Sequence, residues 1–321
     1  MPGGGTRTFF EPTHYEANLR EAQIAAAIIS RGQFRARLTW AELHHLQILR
    51  CEEDAPRVAY VHLAPRLAFV TFPTNPGPLP VWRGTELKAG EIMFHGRGER
   101  LHQLTPGPFA WSVIAVDPGA LEHYGRALSG KSLPAPADGR ILRPSRRDAA
   151  RLRRLHAQVC RLAETKSKML SHSEVARALE QDLIHALVTC LTTAGTRMDG
   201  FAARHHASVM VRFEEVLAEH LRQRPYMPEL CELVGVSDGT LRSSCAEFLG
   251  MTPTRYVLLR RLREVRSALR DARPDTVNVA EVAHSFGFAQ LGRFAGTYRA
   301  TYGETPSTTL QRTPGTRFTA S

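Results

Sequence analysis

The sequence predicts an α+β protein in two parts: a β-rich N-terminal domain with packing helices, then an all-α C-terminal unit built on a tandem helix-turn-helix. Three observations carry that expectation. Short apolar runs broken by glycine and proline occupy the stretch from about Phe9 to Asp117. A helical apolar period replaces them after Pro144. Near the C-terminus a pattern of turn glycine followed by Gly-x-Thr-Pro occurs twice. At 321 residues the chain exceeds one ordinary core, and an apolar fraction of 43% is that of a folded globular protein.

The strand-like runs are Val58 to Leu63, Leu67 to Phe72, Glu91 to Phe94 and Trp111 to Val116. Pro76-Gly77-Pro78, Arg83-Gly84 and Pro106-Gly107-Pro108 separate or flank them with turn chemistry. Many short strands between turns predict a β-sandwich or small barrel over residues 1–143. Residues 144–193 then read as two amphipathic helices. Ser145 and Asp148 form a capping box ahead of Ala149, Leu152, Leu155, Val159 and Leu162. A second helix starts at Ser171, with Glu174 three residues on and an apolar stripe of Val175, Leu179, Leu183, Leu187 and Cys190. Their apolar faces suit either the strand domain's own core or the same pair from a second chain. Residues 194–206 have no apolar period and read as a linker. The all-α unit follows at 207–312, with a tail at 313–321.

The repeat lies in that unit, near 228–249 and 279–302. The first copy runs Leu230-Cys231-Glu232-Leu233-Val234-Gly235-Val236-Ser237, then Leu241, Cys245 and Gly250-Met251-Thr252-Pro253. The second runs Val282-Ala283-His284-Ser285-Phe286-Gly287-Phe288, then Phe294, Tyr298 and Gly303-Glu304-Thr305-Pro306. In each, a short helix ends at a glycine able to take positive φ, and an apolar residue (Val236, Phe288) pins the turn. Ser237 can cap the helix that follows. That helix buries Leu241, Cys245 and Phe248, which leaves Gly239, Arg242 and Ser243 on the open face. In the second copy Phe294 and Tyr298 face inward, with Gln290, Arg293 and Thr297 outside. A second helix of this kind is the one that enters a major groove. Between the copies Thr252-Pro253 opens a spacer helix with a stripe of Leu258, Leu262, Val265 and Leu269. A helix of that length, roughly 26 Å, suits two recognition helices set about one DNA turn apart. Its arginines, Arg260, Arg261, Arg263, Arg266 and Arg270, read as a solvated face from which one or two reach phosphates.

These residues resemble the AraC/XylS family of bacterial transcription regulators. The stretch VAEVAHSFGFAQLGRFAGTYRATYGETPSTTL is similar to that family's second helix-turn-helix and trailing signature. LCELVGVSDGTLRSSCAEFLGMTPTRYVLLRRL is similar to its first helix-turn-helix and spacer. The resemblance covers about Ser208 to Arg312. It implies a seven-helix unit, double-stranded promoter DNA and RNA polymerase as partners, and neither enzymatic chemistry nor a cofactor. Carried over by position, the base-reading places fall on Gly239, Arg242 and Ser243 in the first motif. In the second they fall on Leu291, Gly292 and Gly296, with Gln290, Arg293 and Thr297 beside them. The chain departs from the family pattern at Gly239 and Gly296, which offer no side chain to a base edge, and at Cys245, where a bulkier anchor is usual. Arg242 is therefore expected to carry most base discrimination, a bidentate guanine contact contributing about 1–3 kcal/mol, while the second motif mainly holds phosphates. The resemblance also implies an N-terminal cupin-like sensor for a small-molecule effector, and the strand texture is compatible with a cupin-like or jelly-roll domain. A homodimer through the helices at Ser145–Leu162 and Ser171–Leu191 is expected on the same ground.

Composition bounds the alternatives. The net charge of +11 points towards a polyanionic partner, although arginine far outnumbers lysine, as a GC-rich genome alone would produce. Cys51, Cys160, Cys190, Cys231 and Cys245 form no CxxC pair and read as buried thiols of a reducing compartment. No apolar leader or span of about 18 residues is present, so a soluble cytoplasmic protein is expected. The stretch Gly90 to His102 loosely resembles the later cupin motif. However, Gly96 replaces its proline, and Leu101 takes the ligand place with His102 one residue off. His62 stands alone where the earlier motif needs a His-x-His pair. The adjacent pairs His44-His45 and His205-His206 cannot aim at one metal. No nucleophile elbow, Walker loop or dinucleotide fingerprint occurs. Two readings of the N-terminal half remain beside the DNA-binding unit: a ligand sensor, or a protein-interaction module without a pocket. A cupin-type enzyme domain is the weakest alternative.

Overall fold

The computed structural model describes residues 2–19, 21–29, 34–74, 77–197, 201–223 and 226–311, so the expected tail at 313–321 and positions 198–200 of the expected linker lie outside the described residues. The chain divides into two compact units, residues 1–26 with 34–200, and residues 27–33 with 201–321.

The first unit opens with β1 (Gly3–Phe9), α1 (Pro12–Asn18), β2 (Ala22–Ile28), β3 (Ala36–Glu42) and β4 (Leu46–Glu53). It continues through β5 (Arg57–Leu63), β6 (Ala68–Pro73), β7 (Val81–Trp82), β8 (Thr85–Glu86), β9 (Ile92–Phe94), β10 (Arg100–Thr105) and β11 (Phe109–Val116). After α2 (Pro118–Ser129) and β12 (Arg140–Arg143) come α3 (Arg146–Thr165), α4 (Ser167–Leu170), α5 (Ser173–Thr193) and β13 (Gly195–Arg197). The strands form an eight-stranded sheet, β1-β3-β4-β11-β6-β9-β12-β13, and a five-stranded sheet, β2-β5-β10-β7-β8. β11 pairs antiparallel with both β4 and β6, placing Ile114 opposite Ile48 and Val70.

β11 is buried at every position because the sheet is covered on both sides. Ile114 and Val116 lie in one core with Leu152, Val159, Leu183 and Leu187 of α3 and α5. Trp111 and Val113 point the other way, into a space between the sheets. That two-sided burial explains why the segment reads as an unbroken apolar run. α3 begins as expected: the Ser145 hydroxyl accepts from the Asp148 amide at 3.1 Å. The next long helix starts at Ser173, after the short α4, and not at Ser171; no side chain caps it. Of the two partners open to these helices, the stripe is taken by the unit's own core: Leu183 is fully buried there and Leu179 packs against it.

The second unit is helical: α6 (Phe201–His220), α7 (Met227–Val234), α8 (Asp238–Leu249), α9 (Pro253–Asp271), α10 (Val279–Ser285), α11 (Leu291–Tyr302) and α12 (Pro306–Gln311). These are seven helices among the described residues, as the resemblance implies. The stretch expected as a linker, 194–206, is structured on both flanks. β13 joins the sheet edge by pairing with β12, which requires backbone groups and no apolar period. α6 covers the rest of the described stretch, and Val209 and Met210 are buried further along it.

α9 runs through the middle of the unit, about 28 Å long for its 19 residues. Leu262, Val265 and Leu269 pack with Ala283, Phe286, Phe294, Tyr298 and Leu310. The expected solvated arginine face is overturned here. Arg260 is buried and ion-pairs with Glu214 of α6, whose other oxygen accepts from the Tyr256 hydroxyl. Arg261 donates from Nε to the Phe286 carbonyl at 2.8 Å and stacks over the Phe288 ring at 4.4 Å. Arg266 pairs with Glu304 at 3.1 Å and lies over Tyr302 at 4.5 Å. A helix packed by α8, α10 and α12 has little surface left for water, and its guanidinium groups serve carboxylates, rings and a helix-end carbonyl of neighbouring helices. No described helix is long and apolar enough to cross a membrane.

Candidate nucleic-acid interface

The two repeat copies fold into the same turn. In the first, the Gly235 amide donates to Glu232 O at 3.1 Å and the Val236 amide to Cys231 O at 3.0 Å. In the second, the Gly287 amide donates to His284 O at 2.8 Å and the Phe288 amide to Ala283 O at 3.0 Å. Both are Schellman closures, and both require the left-handed conformation that glycine adopts without penalty. The φ angles are 80° at Gly235 and 74° at Gly287. The helices beyond the turns differ at their starts. Ser237 caps α8, its hydroxyl accepting from the Thr240 amide at 3.1 Å. Gln290 occupies the same place before α11 and makes no such bond.

The inner faces are buried as the spacing requires, Leu241, Cys245 and Phe248 in α8 and Phe294 and Tyr298 in α11. Cys245 fills the anchor position without loss of burial, its sulfur 4.0 Å from the Met210 sulfur. On the outer faces Ser237, Gly239, Arg242 and Ser243 are exposed in the first motif, as are Gln290, Leu291, Gly292, Arg293 and Gly296 in the second. Thr297 is half-buried, and its hydroxyl is spent on the Arg293 carbonyl at 2.8 Å. The Ser243 hydroxyl is likewise turned back to the Gly239 and Thr240 carbonyls, at 3.1 and 3.0 Å. Each keeps acceptor capacity only, which suits a base amino group better than a phosphate.

Arg242 Nε donates to Asp238 Oδ2 at 2.7 Å, in a pair whose side chains are 54% and 52% exposed. Asp238 was not singled out from sequence, although its i, i+4 spacing to Arg242 is a legible signal. It holds the guanidinium on the outer face while placing a negative charge beside it.

The outer glycines have no structural need. A Cβ at Gly292 or Gly296 would meet nothing within 4 Å, and one at Gly239 only the Ser237 hydroxyl at 3.8 Å. Helical glycine costs about 1 kcal/mol against alanine. Gly296→Ala should therefore stabilise the unit by roughly that amount in denaturant titration. If α11 lies close against DNA, the same variant should bind more weakly despite its added stability.

In the first unit, the cupin-like stretch folds as β9, a turn and the start of β10. His95 bonds Thr71 Oγ1 at 2.8 Å and Glu99 Oε2 at 2.9 Å. Leu101 and Gln103 point between the sheets, whereas His102 faces the other way and packs on Tyr60 at 4.9 Å. Among the described residues no group of three His, Cys, Asp or Glu is placed to hold a metal ion.

Comparison with known proteins agrees with this geometry. A helix-turn-helix domain model matches residues 230–312. The XylDLEGF operon transcriptional activator of Pseudomonas putida is 34% identical over 101 residues, 32% of each chain. The probable thc operon regulatory protein of Rhodococcus erythropolis is 35% identical over 100 residues, 31% of this chain and 30% of its own. This chain thus spans about a third of the length of those relatives. The crystal structure of the AraC-like transcriptional activator CuxR aligns over 81% of this chain and 94% of its own, at 16% identity and a TM-score of 0.41. Its C-terminal unit therefore carries a helix-turn-helix domain similar to those of these transcriptional regulators.

Proposed function

We propose that the protein is a sequence-specific, ligand-responsive transcription regulator whose α8 and α11 enter successive major grooves of double-stranded promoter DNA, where RNA polymerase is then met. The observation that carries this reading is the duplicated Schellman-closed turn. Each copy presents an open outer face, and α9 contacts α8 of the first copy and shares a core with α10 and α11 of the second. Arg242, held by Asp238, is assigned to base discrimination, and Arg293, flanked by Gly292 and exposed on α11, to phosphate.

Fluorescence anisotropy on a promoter fragment tests the assignment. Binding should weaken steeply between low and moderate salt, because phosphate contacts release counterions. Arg242→Ala should cost about 1–3 kcal/mol on the cognate site and relax preference at one or two base pairs. Arg293→Ala should weaken binding to all sequences alike and shallow the salt slope by about one unit. A flat salt dependence would remove DNA as the partner, and a changed preferred sequence in Arg293→Ala would move base reading to α11.

A further inference from the structure

The two ends of α11 each meet an arginine of α9. At the start, Arg261 donates from Nε to the Phe286 carbonyl at 2.8 Å, and its Nη2 donates to the same oxygen. Its guanidinium lies over the Phe288 ring at 4.4 Å. That ring packs on Phe294 of α11, with centroids 4.8 Å apart. At the other end, Arg266 pairs with Glu304 at 3.1 Å and lies over the Tyr302 ring at 4.5 Å. Glu304 Oε1 also accepts from the Thr309 hydroxyl of α12 at 3.0 Å, and Thr309 accepts from the Tyr298 hydroxyl of α11 at 2.9 Å. Each arginine thus combines a charge-assisted hydrogen bond with an aromatic ring, one in the turn before α11 and one in its last turn.

These contacts differ in kind from the apolar core that α9 shares with α11. Burial of apolar surface is non-directional, whereas a guanidinium fork and a ring stack fix direction. The two recognition helices also differ in what holds their starts. α8 begins at a cap within its own segment, the Ser237 hydroxyl. α11 has no side-chain cap, so its approach is set by the turn that Arg261 holds. Arg222, just beyond α6, stacks over Phe286 of the same turn at 5.1 Å, and α6 packs against α7 and α8 of the first motif. On its outer face α11 carries Gly292 and Gly296, which have no side chain to reach across a gap left by a misplaced helix. Where the backbone of α11 lies therefore decides how it meets a groove.

We infer that Arg261 and Arg266 are positioning residues that set the direction of α11 relative to α8, and with it the half-site spacing that the protein accepts. The inference deepens the proposed function and rests on its reading that α8 and α11 enter successive grooves.

The test uses the full chain. Spin labels on Ser243→Cys and Arg299→Cys, exposed positions of α8 and α11, report the distance between the two helices without DNA, and the five native thiols are buried. Pulsed electron double resonance should give a narrow distance distribution in this parent. Adding Arg261→Met with Arg266→Met should broaden or shift it while the helical circular dichroism spectrum stays unchanged. DNA binding is read on the duplex that the unlabelled wild-type chain selects from a random-sequence pool. One base pair inserted between its halves turns the second by roughly 35° and should weaken wild-type binding about tenfold or more. The double variant should lose less than about threefold on the same insertion, because an unfixed α11 follows the displaced groove. A folded double variant that keeps either the parent distribution or the spacing penalty overturns the inference. If the double variant fails to fold, Arg261→Met and Arg266→Met are measured singly, and a parent-like distribution in both overturns it. A wild-type chain that selects no sequence sinks the regulator reading, while the distance measurement still decides what the two arginines do.

Discussion

Glu214→Leu should unfold the C-terminal unit at a cost of about 3–5 kcal/mol, because it leaves the Arg260 guanidinium buried without its carboxylate. Glu214 and Arg260 are both buried, and Tyr256 closes the group by donating its hydroxyl to Glu214. Burial alone disfavours the charged Arg260, and the Tyr256 and Glu214 partners reverse that, holding its proton more tightly than usual. Removing one partner therefore exposes the full desolvation penalty of the other. Replacing both, Glu214→Leu with Arg260→Met, should recover most of the loss, since apolar groups of similar volume need no counter-charge. The chain offers a clean control. Its three tryptophans, Trp40, Trp82 and Trp111, all lie in the first unit, so their fluorescence reports that unit alone. Helical circular dichroism should fall at low denaturant in Glu214→Leu while tryptophan fluorescence keeps its wild-type midpoint. The fluorescence and circular dichroism transitions are each fitted on their own, with no shared two-state model imposed on a two-unit chain. A single variant with wild-type behaviour would show the pair to be solvated in solution.

The tandem turns were legible in the sequence because their requirements are local. A positive φ selects glycine, a capping hydroxyl selects Ser237, and inward residues recur at helical spacing. The arginines of α9 were not, since a buried guanidinium and a solvated one look alike in a helix. What distinguishes them lies 46 positions away at Glu214, or at the Phe286 carbonyl, which no pattern displays. A partial clue was present: Tyr256, Val257, Leu259 and Leu262 surround the helix with apolar residues and leave no wide polar stripe. β10 escaped notice for a related reason. Its sequence RLHQLT contains little apolar alternation, yet His102 and Gln103 are buried on opposite faces, one against Tyr60 and one between the sheets.

Leu183→Asp should unfold the N-terminal unit and not release a folded monomer. The stripe of α5 satisfied two readings equally, a cover for the strand domain or a seam with a second chain. Leu183 is fully buried with Ile48, Val70 and Ile114 in the core beneath the eight-stranded sheet. One turn earlier, Glu180 is also buried, but its carboxylate accepts from the His45 amide at 2.6 Å, so the helix already holds its one satisfied charge on that face. An aspartate at 183 has no such donor within an aliphatic core. Burying it unpaired, with the loss of the leucine packing, costs upward of about 4 kcal/mol. Tryptophan fluorescence should then show the first unit unfolded in buffer, with the C-terminal unit's helical signal retained. Gln181→Glu, on the exposed side of the same helix, should change neither stability nor mass. Light scattering decides the matter alongside: a folded Leu183→Asp protein of half the wild-type mass would place the stripe at a dimer seam and overturn its burial in the unit's own core.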